Sequence, residues 1–134
     1  MRSDTIVVNG EPVKVSGLSV IQNLVCDSML AEASQKGDLE GRAKARMRRV
    51  ALAMQNGGDF IPDPKNPGGS FKASDLKIDD LIVLVSGSDL WANMDEYYEA
   101  EMAVVAINSP LKVAAAAPEK VASKIEGESQ ATAS

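Results

Sequence analysis

Residues 6–29 read IVVNGEPVKVSGLSVIQNLVCDSM and predict a β-hairpin that leads directly into a helix. Asn9 and Gly10 separate two runs rich in valine, and a type I′ turn needs positive φ at its two central residues, which Asn and Gly tolerate best. A two-residue turn of this kind pairs Ile6 with Val13. The alternation then gives the hairpin one apolar face, which is formed by Ile6, Val8, Val13 and Val15.

A two-stranded ribbon is marginal in water by itself, so the apolar face of the hairpin must pack on another element. The nearest element is the helix that follows. Ser19 and Gln22 have the spacing of a capping box, which predicts that this helix begins near residue 20. We expect the hairpin to pack on the apolar stripe of this helix, which consists of Val20, Ile21, Leu24, Val25 and Met29.

The composition is that of a small soluble domain with an aliphatic core, since 45% of the 134 residues are hydrophobic but only 4% are aromatic. The net charge of −5 argues against a general binder of nucleic acid or of anionic membranes. No segment approaches the roughly 20 apolar residues of a membrane span. We therefore expect a cytosolic protein with no membrane partner.

The reactive side chains do not favour an enzyme. The chain has no histidine, which is the commonest general base and metal ligand. Its single cysteine, Cys26, has no second thiol for an internal disulfide and no histidine to activate it, so we expect it in the core. The sequence therefore predicts no catalytic residue, no cofactor and no metal site.

A second helix is predicted over residues 39–55, where apolar residues recur at helical spacing. The other faces of this helix are strongly basic, and two interpretations are open. The cations contact phosphates or an acidic partner, or they form a solvated face that pairs with acids elsewhere in the fold. The acidic average of the chain favours the second interpretation. The basic residues are Arg42, Lys44, Arg46, Arg48 and Arg49.

Residues 56–70, NGGDFIPDPKNPGGS, contain so many Gly and Pro residues that we expect a long irregular loop. The segment lacks the G-x-x-x-x-G-K-[ST] pattern of a phosphate-binding loop, so nucleotide binding is not expected. Its two large apolar residues are Phe60 and Ile61. These side chains either pin the loop onto the core or remain available to a partner.

Two further helices complete the predicted bundle. The third is predicted to start after Ser74 or Asp75 and to stop at Gly87. Residues 81–85 also have the composition of a short buried strand, but the neighbouring aspartates suit the first turn of a helix and favour the helical alternative. The fourth helix is predicted to be capped by Ser88. Its apolar face is predicted to consist of Trp91, Met94, Tyr98, Met102 and Val105.

The chain beyond the fourth helix is rich in Ala, Lys, Glu, Ser and Thr, and we expect it to be a disordered tail. The predicted fold is therefore mainly α, with an N-terminal β-hairpin packed on a bundle of about four helices. It divides into a helical domain over residues 1–108 and a flexible tail over residues 109–134. The acids of the last two helices complement the basic second helix, either within one chain or between the copies of a homo-oligomer.

The N-terminal segment NGEPVKVSGLSVIQN resembles the opening of the lambda-type tail assembly protein G family, the tail assembly chaperones of long-tailed phages. An N-G turn, alternating valines and an L-S-x-x-Q helix start carry the resemblance. A Pro-containing loop, a late helix rich in acids and aromatics, and a low-complexity tail continue it more loosely. The matching residues are Asn9, Gly10, Val13, Val15, Leu18, Ser19 and Gln22.

The resemblance implies a non-enzymatic late protein that acts in the host cell cytoplasm and is absent from the mature virion. In this family the short product, together with a longer form made by ribosomal frameshifting, coats the tape measure protein and recruits tail tube subunits. The expected partners are therefore the tape measure protein and, through a longer form, the tail tube protein. We predict that the partner-binding residues include Arg42, Lys44, Arg46, Arg48, Arg49, Phe60 and Ile61.

An alternative function follows from the basic second helix alone. A small nucleic-acid-associated regulatory protein would use these cations to contact phosphates, and its binding would weaken steeply with salt. The acidic net charge makes nucleic acid the less expected partner.

Overall fold

The computed structural model describes residues 2–109, apart from the side chain of residue 88. Of the predicted tail over residues 109–134, all but Ser109 lies outside these described residues. Within them the protein is mainly helical, with an N-terminal β-hairpin and four helices, which confirms the predicted fold class. The elements are β1 (Ser3–Val8), β2 (Glu11–Ser16), α1 (Val20–Lys36), α2 (Leu39–Gly57), β3 (Phe60–Pro62), β4 (Ser70–Lys72), α3 (Ile78–Ser86) and α4 (Met94–Asn108), with 3₁₀ turns at Ala73–Asp75 and Ser88–Leu90.

The hairpin of β1 and β2 has the predicted register. Ile6 lies opposite Val13, and the turn residues Asn9 and Gly10 have φ values of 50° and 82°. Positive φ at both positions is the requirement of a type I′ turn. The four residues of the apolar face are completely or almost completely buried, so the alternation determined the buried face correctly.

The element that covers the hairpin differs from the one predicted. The hairpin packs on α2 and α4, whereas α1 packs on α2. The buried residues of α2 include the small Ala51 and Ala53 beside the larger Val50 and Met54. At Gly57 the hairpin lies so close that a Cβ atom would overlap the carbonyl oxygen of Lys14. The prediction that the hairpin rests on α1 is therefore wrong.

Helix α1 begins where the sequence predicted, but its apolar stripe is not buried. The capping box is present: the Ser19 hydroxyl accepts a hydrogen bond from Gln22 N at 3.1 Å, and the Gln22 side chain accepts one from Ser19 N at 2.9 Å. Only Cys26 and Ala33 of this helix are buried. The five residues of the predicted stripe are instead exposed by 37–75%: Val20, Ile21, Leu24, Val25 and Met29. The helix therefore contacts α2 through a narrow strip.

Helix α4 begins later than predicted and buries a different face. Its N-cap is Asn93, whose side chain accepts a hydrogen bond from Glu96 N at 2.8 Å, and Ser88 lies in the preceding 3₁₀ turn. Trp91 is extended, with φ −115° and ψ 139°. The predicted face was counted from Trp91, and the helical phase does not continue through this extended segment. The buried face consists of Tyr97, Ala100, Glu101 and Val104, while Met94, Tyr98, Met102 and Val105 are exposed.

The segment predicted to be one long loop contains a second hairpin. Strands β3 and β4 pair antiparallel, with Ile61 opposite Phe71. The Gly and Pro residues that break regular structure are concentrated between the strands, and Phe-Ile-Pro and Ser-Phe-Lys at either side are compatible with short edge strands. The irregular part is therefore confined to the turn at 63–69.

Helix α3 confirms the helical alternative for residues 81–85. It starts at Ile78, a few residues later than predicted, because Ala73–Asp75 forms a separate 3₁₀ turn. None of the helices within residues 2–109 is long and apolar enough to cross a lipid bilayer.

Candidate protein-binding surface

The strongest ion pair of the basic helix joins α2 to α4. Arg46 donates from Nε to Oε2 of Glu101 and from Nη2 to Oε1, both at 2.6 Å. This bidentate geometry is the strong form of a charge-assisted hydrogen bond, and it raises the pKa of Arg46. Glu101 is the single charged residue that is buried within residues 2–109. Arg46 therefore acts as the internal partner of a buried carboxylate.

A second ion pair joins α2 to α1. Arg49 Nη2 donates to Oδ1 of Asp27, and the side chain of Arg49 is largely buried whereas that of Asp27 is 63% exposed. Lys44 pairs at 3.3 Å with Glu40 on its own helix, where both side chains are well exposed. Three of the five predicted partner-binding cations are thus paired within the chain, and two of them, Arg46 and Arg49, pair with acids on other helices, as the second interpretation expected.

The other two cations of α2 have different environments. Arg48 is half-buried, and its Nε atom finds no hydrogen-bond partner among the described residues. Arg42 is exposed and forms no ion pair within residues 2–109. Arg42 is therefore the basic residue of this helix that best fits contact with an external acid.

Phe60 and Ile61 have opposite exposures. Ile61 is fully buried, so it pins its segment onto the core. Phe60 is 59% exposed and lines a depression of about 400 Å³ together with Pro12 and Pro62. Asp59 anchors this region, because its carboxylate accepts hydrogen bonds from Lys14 N at 2.9 Å and Phe60 N at 2.8 Å. These bonds lower the pKa of Asp59.

A further exposed apolar surface lies between α1 and α4. These two helices flank α2 without packing closely on each other, and a groove of about 410 Å³ remains between them. We call it the α1–α4 groove. Its lining residues are Val20, Asn23, Leu24 and Asp27 of α1, Arg49 of α2, and Val105, Asn108 and Ser109 at the end of α4.

Two ion pairs join α2 to the helices on either side of this groove. Glu101 of α4 faces α2 and pairs with Arg46, while the neighbouring stripe of Tyr98, Met102 and Val105 is exposed, and Val105 of this stripe lines the groove. Asp27 of α1 pairs with Arg49, and Leu24 and Val20, about one and two turns earlier on α1, form the opposite wall of the groove. Val20 is 75% exposed and Leu24 is 61% exposed. The apolar part of the groove therefore consists of Val20 and Leu24 on one side and Val105 on the other.

The exposed apolar surface extends beyond the groove along α1, through Ile21 and Val25. A soluble protein rarely leaves neighbouring large apolar side chains in water unless they contact a partner. Val20, Ile21, Leu24 and Val25 form one broad stripe that the sequence predicted to be buried, and no pattern within α1 distinguishes a stripe that meets another element from one that meets solvent.

A smaller apolar pocket of about 270 Å³ lies at the start of α4, beside Met47, Trp91 and Tyr97. The indole Nε1 of Trp91 donates to the carbonyl of Val85 at 2.9 Å, and the rings of Trp91 and Tyr97 meet edge to face with centroids 5.4 Å apart. Burial raises the pKa of Tyr97 to about 12. Its phenol is therefore neutral at physiological pH, and the contacts of this pocket are those of a structural core.

The described residues contain no cluster of three or more Cys, Asp or Glu side chains arranged to hold a metal ion. Cys26 lies on the buried side of α1, and this burial raises the pKa of its thiol. No protein-family model, curated protein or solved structure gives a significant match to this chain.

Proposed function

We propose that this protein is a tail assembly chaperone of a long-tailed phage, which binds the tape measure protein and helps to recruit tail tube subunits during tail morphogenesis. In this proposal it acts in the host cell cytoplasm, catalyses no reaction and is absent from the mature virion. The observation that carries the proposal is the exposed apolar surface of the α1–α4 groove. The N-terminal resemblance supplies the identity of the client.

The shape and chemistry of the groove suit a helical client. A groove between two helices is a common docking site for the apolar face of a third, amphipathic helix. Covering a half-exposed aliphatic side chain contributes on the order of 1 kcal/mol. Several such side chains are needed to offset the loss of freedom on association. Val20 and Leu24 line one side of the groove and Val105 lines the other, and Ile21 and Val25 continue the exposed apolar surface along α1.

Two features favour a client with many different segments, such as a long tape measure protein. Met94 and Met102 are more than 60% exposed. Methionine side chains are flexible and polarizable, so they adapt to apolar partners of different shape. The exposed guanidinium of Arg42 on the neighbouring helix is suited to an acidic residue that flanks the apolar face of the client.

The nucleic-acid alternative has less support. A phosphate-binding helix needs cations that are free to contact the backbone, but Arg46 and Arg49 are engaged with carboxylates of α4 and α1, and Lys44 pairs with Glu40. Binding to nucleic acid would require these pairs to open.

The proposal is tested by coexpressing the full chain with the tape measure protein of the same gene cluster. We expect the two proteins to co-purify and the soluble fraction of the client to rise. The double variant Leu24→Ser, Val105→Ser should lose most of this binding, because both side chains line the groove. The matched control is Val83→Ser on α3, since Val83 is 69% exposed but does not line the groove.

Circular dichroism and thermal unfolding of both variants establish that they fold. If wild-type protein neither retains the client nor increases its solubility, the proposed function is wrong. If the groove variant binds as well as Val83→Ser, the client binds at another surface.

A further inference from the structure

The described part of the chain ends inside the α1–α4 groove, at Ser109. The end of α4 is held in place there by long-range hydrogen bonds. Leu18 N donates to the Asn108 side chain at 2.7 Å, and the guanidinium of Arg2 donates to the carbonyls of Ile107 and Ser109 at 2.8 and 2.5 Å. The point from which residues 110–134 continue is therefore fixed relative to the groove.

The residues that follow have the chemistry to cover the groove. Residues 110–117 read PLKVAAAA, so two large aliphatic side chains, Leu111 and Val113, come directly after the exit point. A chain extends by at most about 3.6 Å per residue, which keeps the Cα of Leu111 within about 7 Å of Ser109 and that of Val113 within about 14 Å. Ser109 and Val20 line the same groove. Both aliphatic side chains are thus within reach of Val20.

We propose that residues 110–117 of the same chain cover the α1–α4 groove when no partner occupies it, with Leu111 and Val113 against Val20 and Leu24. A partner then has to displace this segment. The segment shields apolar side chains from water and from other copies of the protein, and it lowers the apparent affinity of any partner that binds in the groove.

The short connection makes this occupant more effective than a second copy. A segment tethered by a few residues is present at an effective concentration on the order of millimolar. An intrinsic affinity in the millimolar range then suffices to cover the groove about half of the time, whereas a second copy at micromolar concentration needs micromolar affinity for the same coverage.

The test uses the full chain with isotope-labelled Val, Leu and Ile methyl groups and a soluble paramagnetic agent, which broadens methyl signals in proportion to their contact with solvent. We compare wild-type protein with the double variant Leu111→Ser, Val113→Ser. The matched control is Val121→Ser, Ile125→Ser, which removes two aliphatic side chains that lie beyond residues 110–117 in the sequence. The methyl groups of Val83 on α3 serve as an internal reference.

We expect broadening at the methyls of Val20, Leu24 and Val105 to rise about twofold in the Leu111/Val113 variant, as half-coverage predicts. The Val121/Ile125 variant and the Val83 reference should not change, and the result should not depend on protein concentration. Equal broadening in wild type and both variants overturns the proposal. A wild-type protection that disappears on tenfold dilution also overturns it and identifies a second copy as the occupant.

This inference concerns the groove and not its client. The methyl measurement contains no tape measure protein, so its failure leaves the proposed function intact. Loss of co-purification with the client, conversely, leaves the coverage of the groove by residues 110–117 untouched.

Discussion

The β1–β2 hairpin and the first half of α1 are neighbours in sequence and equally apolar, but they have opposite environments. Ile6 in the hairpin is 3% exposed, whereas Ile21 in the helix is 73% exposed. The hairpin is covered by two helices, and α1 contacts one helix through a narrow strip. The comparison teaches that an apolar pattern determines which side chains share a face but not whether another element covers that face.

The largest effect is expected for Ile6→Ala. Truncating a buried isoleucine removes apolar contacts and leaves a cavity, so the free energy of unfolding should fall by about 2–5 kcal/mol. Urea denaturation of wild type and variant measures this change. Thr5→Ala on the exposed face of the same strand is the control and should change stability little. A loss below about 1 kcal/mol for Ile6→Ala would mean that the hairpin core relaxes freely.

The next largest change in the free energy of unfolding is expected when the ion pairs that attach α4 and α1 to α2 are removed. Glu101 is largely buried and Arg46 is about half exposed. Glu101→Gln should therefore lower the free energy of unfolding by about 1–2 kcal/mol, which is less than the loss of a fully buried ion pair would cause. Asp27→Asn should cost less than about 0.5 kcal/mol, because Asp27 is mostly in water. Chemical denaturation measures both. Equal losses of unfolding free energy in the two variants would contradict the expectation that the Arg46–Glu101 pair contributes more than the Arg49–Asp27 pair.

A smaller, pH-dependent effect is expected for Asp59, which ties the hairpin to the segment after α2. Hydrogen bonds from backbone N–H groups lower its pKa below 3.8 in the folded state. The stabilisation is therefore present above the pKa of the unfolded chain and is lost as the pH falls through the folded-state pKa. Because Asp59 is only partly buried, solvent screens its charge and we expect a contribution of less than about 1 kcal/mol.

The measurement for Asp59 is the free energy of unfolding from pH 6 down to pH 2.5, for wild type and Asp59→Asn. The difference between the two proteins should shrink as the carboxyl group of the wild type becomes protonated. A difference that stays constant over this range would show that the charge of Asp59 contributes nothing to stability.

The smallest effect on stability is expected for Ile21→Ala, the exposed counterpart of Ile6→Ala. It should change the free energy of unfolding by no more than about 0.5 kcal/mol, and it should reduce the binding of a hydrophobic dye to the folded protein. The same urea titration provides the comparison. A loss as large as that of Ile6→Ala would mean that this side of α1 is covered in solution.

Much of the local structure was predictable because it depends on neighbours in sequence. The Asn9-Gly10 turn, the capping box of Ser19 and Gln22, and the second helix all formed as predicted. The fourth helix was predicted to exist, but its face was wrong, because the extended segment at Trp91 interrupts the helical phase. The short second hairpin was missed because its two strands are three residues each and lie beside a concentration of Gly and Pro.

The candidate site was predictable only in part. The basic residues of the second helix were identified, and the expectation that they answer acids elsewhere in the fold agrees with the pairing of Arg46 with Glu101 and of Arg49 with Asp27. The apolar groove was missed, because the same five residues of α1 were assigned to the core. No pattern within α1 distinguishes a stripe that meets a hairpin from one that meets solvent.

The sequence by itself determined where the chain turns, where most helices begin and which side chains lie on a common face, since these properties depend on backbone conformation and on hydrogen bonds between residues a few positions apart. Only the tertiary structure decided which faces are buried. That choice depends on pairs such as Arg46 and Glu101, which are 55 residues apart and orient α4 through one buried carboxylate. Glu101 shares the buried face of α4 with Tyr97, Ala100 and Val104, so long-range apolar contacts and the ion pair together orient the helix, and a pattern within the helix contains neither.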